Sequence, residues 1–90
     1  MPNQFNKAVY AVWRMELRVA IRDGLLDRKT HRIMKMVASY VSAVYGLTPD
    51  GIDLEGAVFE NVDEALCQKI VSDIETRFRR QLRYIEVECL

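Results

Sequence analysis

The chain has 90 residues, half of them apolar, which is enough for one modest core and too many for a disordered regulator. Its 13 Lys/Arg balance 13 Asp/Glu, so no overall positive charge draws it to a polyanion. No stretch approaches the ~18 uninterrupted apolar residues of a membrane span, which excludes an integral-membrane reading.

The first predicted element is a helix over about 4–23, capped by Asn3 or Asn6 and stopped at Asp23-Gly24. Lys7, Arg14, Arg18 and Arg22 form its only wholly polar strip, with Phe5, Val9, Val12, Trp13, Leu17, Ala20 and Ile21 turned the other way. The apolar arc spans roughly 260° of the wheel, where a surface helix needs ~100°. So much apolar circumference implies a partner, most simply a second copy, and the expected dimer interface is Val9, Trp13, Glu16, Leu17 and Ala20. Glu16 lies inside the arc and requires the rim, a proton, or an arginine or tyrosine hydroxyl partner.

Helix 2 is predicted over about 28–45, with Asp27 as its N-cap and Gly46 at its end. Ile33, Met34, Met36, Val37, Tyr40, Val41, Val44 and Tyr45 fill one half of its wheel, and Arg28, His31, Arg32, Lys35, Ser39 and Ser42 the other. Thr48-Pro49-Asp50-Gly51 is a turn signal, and residues 46–60 read as an acidic loop pinned by Ile52, Leu54, Val58 and Phe59. Helix 3 is predicted over about 62–84, opened by Asn61 and Glu64. Its seam of Cys67, Val71, Ile74, Phe78, Leu82 and Ile85 approaches a coiled-coil pattern, and residues 86–90 fray. The expected fold is all-α: a three-helix antiparallel bundle with an acidic loop between helices 2 and 3, assembled as a helical homodimer.

Charge is segregated along the chain. Residues 1–45 hold eight Lys/Arg against Glu16, Asp23 and Asp27, whereas residues 46–66 hold Asp50, Asp53, Glu55, Glu60, Asp63 and Glu64 with no base. The acidic connection can fold over the chain's own basic elements or pair head-to-tail with a second copy.

No constellation for catalysis emerges. His31 stands between Lys29 and Arg32 on the polar face of helix 2, a setting suited to neither a metal ligand nor a general base. There is no HExxH and no phosphate-binding glycine loop, and Asp50, Asp53, Glu55 and Glu60 lack the spacing of a calcium loop. Cys67 and Cys89 fit no metal or redox spacing. No catalytic, metal or cofactor-binding residue is assigned, and a non-enzymatic protein is expected. The N-terminus lacks the apolar run of a secretory signal, so the expected compartment is the cytoplasm.

Two binding readings follow. The first is a small regulator, adaptor or inhibitor that engages an unidentified protein through Asp53, Glu55 and Glu60. The alternative is a DNA-binding regulator. In it, 19–33 forms a helix-turn-helix with Ala20 and Gly24 four apart, Arg28, Lys29 and Arg32 at the start of the recognition helix, and Arg14 and Arg18 on the backbone. Against DNA stand Thr30, where that motif takes an aliphatic residue, and the neutral total charge.

Overall fold

From Arg14 to Arg22, Arg14, Glu16, Arg18 and Arg22 interleave with Met15, Leu17, Val19 and Ile21. That is the period of a strand, and in the computed structural model, which describes residues 13–90, Arg14–Ile21 is strand β1. Leu17, Val19 and Ile21 are buried, and Glu16, Arg18 and Ala20 belong to the opposite face. The helix expected over 4–23 is thereby overturned for its described part. A step of four aligns Arg14, Arg18 and Arg22 equally well on a helical stripe and on one face of a strand. Glu16 decides between them: misplaced in a helix's apolar arc, it joins the arginines on a strand.

Asp27 caps helix α1 (Arg28–Tyr45), its carboxylate accepting from the Thr30 amide at 2.7 Å. Gly46 ends α1 in the left-handed conformation, φ 68°, and its amide donates to Ser42 O. Thr30, Met34, Val37, Ala38 and Val41 are the buried side of α1.

A short strand β2 (Gly51–Ile52) turns into β3 (Gly56–Asp63). The Asp53 carboxylate holds the turn, accepting from the amides of Glu55 at 2.8 Å and Gly56 at 3.0 Å. A side chain on Gly56 would put its Cβ 2.8 Å from Val19 O, so glycine is what lets β3 lie close against β1. Further along, the register slips where Glu16 faces the Glu60-Asn61 segment, and Asn61 takes a φ of 58°. This bulge restores parity: Phe59 and Val62, three apart, both point into the core.

Asp63 caps helix α2 (Glu64–Arg77) by accepting from the Leu66 amide at 3.1 Å. A 3-10 helix (Arg79–Arg83) leads to strand β4 (Ile85–Cys89). The third predicted helix, 62–84, is therefore too long at both ends. Its cap lies two residues beyond Asn61, and Ile85-Glu86-Val87-Glu88-Cys89 alternates like β1 and pairs with it.

The sheet order is β2-β3-β1-β4, with every neighbouring pair antiparallel. Each βαβ unit is split by an inserted strand, β3 between β1 and β2, and β1 between β3 and β4. The buried residues of the sheet and both helices form one cluster, in which Leu17, Val19, Phe59, Met34, Ile70, Ile74 and Ile85 are almost fully enclosed. Each such side chain contributes on the order of 1.5–3 kcal/mol by leaving water. A four-stranded antiparallel sheet carrying two helices thus replaces the expected all-α bundle. A disulfide joins Cys67 of α2 to Cys89 of β4, with Cα atoms 6.2 Å apart.

Candidate functional site

Because α1 buries Thr30, Met34, Val37 and Val41, the stripe Arg28, Arg32, Lys35 and Ser39 is turned away from the sheet. These four residues, with His31 and Met36, line an open hollow of about 410 Å³. A second hollow of about 400 Å³ continues it along the helix, sharing Lys35 and Ser39 and reaching Pro49 and Ile52 at the β2 edge. The hairpin tip borders this surface, with Leu54 O 3.3 Å from His31 Nδ1.

Two properties combine on this flank. Among the described residues, Arg28, Arg32 and Lys35 enter no salt bridge, as is also true of Arg14, Lys29, Lys69, Arg79, Arg80 and Arg83, whereas Arg18, Arg22 and Arg77 do pair. Large apolar side chains also stay in solvent beside the cations: Met36 is 44% exposed, Ile52 50% and Leu54 67%. Unpaired charge next to exposed apolar surface on an ordered element is the composition of a binding surface.

A second cluster joins the helices on another side of α1. Tyr40 and Tyr45 both donate to Asp73 Oδ2 at 2.6 Å, Arg77 reaches Asp73 Oδ1 at 3.5 Å, and Arg77 lies over the Tyr40 ring. The phenol bonds hold the Asp73 carboxyl below its ordinary range, and accepting that carboxylate as partner pushes Tyr45 up to about 12 and Tyr40 upward. All three shifts fix the protonation state already present at neutral pH. The cluster therefore fastens α1 to α2 and does not poise a group for proton transfer.

The residues singled out from the sequence are dispersed. Of the nucleic-acid set, Arg28 and Arg32 share the first hollow, and Lys29 turns to the Tyr84 ring, 5.1 Å from its centroid. Arg14 pairs in register with Asp63, and Arg18 lies on the outer sheet face in an ion pair with Glu88. Residues 19–33 run strand, turn and helix, so the helix-turn-helix is overturned. Of the acidic set, Asp53 builds the hairpin turn, while Glu55 and Glu60 are exposed toward opposite ends of β3. Of the dimer set, Val9 lies outside the described residues. Leu17 is 0% exposed beneath its own helices, Glu16 and Ala20 are half-buried on the outer sheet face, and Trp13 is 76% exposed.

Lys35, Met36, Ile52 and Leu54 belong to the surface yet were absent from the sequence-based site. The signal available for the last two was the turn Asp53-Leu54-Glu55-Gly56, which places an apolar residue at a hairpin tip. Among the described residues, no group of three or more His, Cys, Asp or Glu converges to hold a metal, and no helix is long and apolar enough to cross a membrane. No family model, curated protein or solved structure matches this chain.

Proposed function

We propose that this protein acts without catalysis, as a regulator or adaptor that binds an acidic, leucine-bearing segment of a protein through the outward flank of α1 and the β2 edge. The observation that carries the reading is the stripe Arg28, Arg32 and Lys35, in no salt bridge among the described residues, beside exposed Met36, Ile52 and Leu54. A DNA backbone satisfies the cations and gains nothing from the apolar side chains. Cytoplasmic placement belongs to the same proposal. The Cys67–Cys89 disulfide is the observation that weighs against a reducing compartment.

The test is fluorescence anisotropy with a labelled synthetic peptide rich in glutamate and leucine, and with a labelled DNA duplex as the competing probe. The expected result is peptide binding that weakens as salt rises, and at least about tenfold weaker binding by Arg32→Glu/Lys35→Glu. Equal peptide affinity in that variant, or tighter binding of the duplex than of the peptide, overturns the proposal.

A further inference from the structure

We infer that the Cys67–Cys89 disulfide is a redox latch on strand β4, opened by small thiols at the Cys89 sulfur. The inference goes beyond the α1 surface and does not rest on it. β4 is an edge strand, with β1 as its one neighbour in the sheet. Ile85 fastens its start in the core, whereas Val87 and Cys89 are only half-buried. Beyond Ile85 the strand is held by its ladder to β1, by the Arg18–Glu88 ion pair and by the disulfide. Both side chains of that pair are 40% exposed, and an ion pair so open to water contributes little. The bond to Cys67 is therefore the strong tie between α2 and the second half of β4.

The two sulfurs belong to residues that differ in access. Cys67 is fully buried on α2, whereas Cys89 is half-buried on the edge strand. Exchange requires a thiolate to reach one of the two sulfurs, so access selects Cys89. A thiolate of the glutathione type bonds to Cys89 Sγ as the S–S bond breaks, and Cys67 leaves with the electron pair and takes a proton. A second thiolate then attacks the small thiol's own sulfur in the mixed disulfide. Cys89 is freed and protonated, and the oxidised small disulfide departs, so the protein has gained two electrons and two protons. Residues 87–90 are then left with their ladder and half-buried contacts. Their opening bares the edge of β1, where Glu16 and Leu90 exchange backbone hydrogen bonds at 2.9 and 2.8 Å. The other edge of β1 stays paired with β3, so the sheet persists. A bared strand edge is the surface that an extended segment can join, and a bond that opens in this way suits a compartment where disulfides are transient.

Hydrogen exchange of the full chain, oxidised and then reduced with glutathione in native buffer, tests this. The amides of Glu16, Glu88 and Leu90 are expected to exchange at least about tenfold faster after reduction, and those of Leu17 and Val19, on the β3 side of β1, within about twofold of their former rates. Mass mapping of the trapped mixed disulfide is expected to place glutathione on Cys89. Cys67→Ser, which has no bond to open, is expected to show the fast-exchanging β4 without any reductant. Should that variant not fold, the reduced wild type carries the test alone. Equal exchange in the two redox states overturns the inference. Acceleration spread evenly over both sides of β1 does so too, because the bond is then a general brace. A bond that glutathione cannot open while the chain is folded, or an adduct on Cys67, overturns it as well.

Discussion

Two sides of the same helix put similar chemistry to opposite uses. Toward α2, α1 presents Tyr40 and Tyr45 to Asp73, which also takes Arg77, so the carboxylate has three partners from two elements. Toward solvent and the β2 edge it presents Arg28, Arg32 and Lys35, none of them in an ion pair among the described residues. The outer face of the sheet resembles the first side: Arg18 pairs with Glu88, and Arg22 reaches Glu86 and Leu82 O. Charge answered within the chain orients elements, whereas charge left unanswered on a rigid helix is available to a partner. Substitutions on the two sides should therefore separate stability from binding.

The largest expected effect reaches both at once. Gly56→Ala places a methyl group 2.8 Å from Val19 O, a backbone atom that cannot swing aside, so β3 must draw back from β1. The expected cost is about 2 kcal/mol, a fall in Tm of roughly 10 °C for a domain of this size. Because the same glycine begins the strand that carries the hairpin, peptide binding should weaken as well. Calorimetry and anisotropy on one preparation check this. An unchanged Tm would mean that the close approach does not constrain the sheet.

The saturated side should answer to pH and the open side much less. Asp73 titrates below its ordinary range when folded, so its contribution is present above the unfolded carboxyl value and disappears as pH falls through the folded one. Tyr45 moves from 10.0 up to about 12, so its contribution is complete below pH 10 and is lost as pH rises toward 12. Asp73→Asn keeps an acceptor oxygen for one phenol, discards the charge, and should lower Tm by about 5 °C at neutral pH. The gap between wild type and variant should narrow in strong acid and again above pH 10. Peptide affinity should stay within twofold, and a larger loss would join the two sides of the helix into one site.

The same contrast explains which parts of the molecule were legible before folding. α1 carries its own punctuation, with Asp27 before it, Gly46 after it and an uninterrupted stripe of buried residues between. Nothing in it depends on a distant partner. β1 carries a pattern that two periods share, and only Glu16 distinguished them. In β3 the alternation is broken by the bulge at Glu60-Asn61, which makes Phe59 and Val62 look three apart, as on a helix. β4 was hidden by the helical seam running into it from Phe78 to Ile85, although Ile85, Val87 and Cys89 repeat at a step of two. The candidate site divides in the same way. Arg28 and Arg32 were legible because α1 was. Ile52 and Leu54 joined them only once the 51–56 segment was seen to be a hairpin returned to the helix by β3.

The smallest expected effect gives the finest separation, because it compares neighbouring cations. Lys29 follows Arg28 directly, yet its ammonium lies 5.1 Å from the centroid of the Tyr84 ring, on the flank toward β4. An exposed contact of this kind contributes about 0.5 kcal/mol, so Lys29→Ala should lower Tm by about 2–4 °C and leave peptide affinity unchanged. Arg28→Ala and Arg32→Ala, which break no ion pair within the described residues, should leave Tm within a degree or two and weaken the peptide roughly three- to tenfold. If binding instead falls equally for all three, the helix is being read as a diffuse positive rod. In that case Met36 and Leu54 make no specific contact, and Leu54→Ser will also leave the peptide untouched.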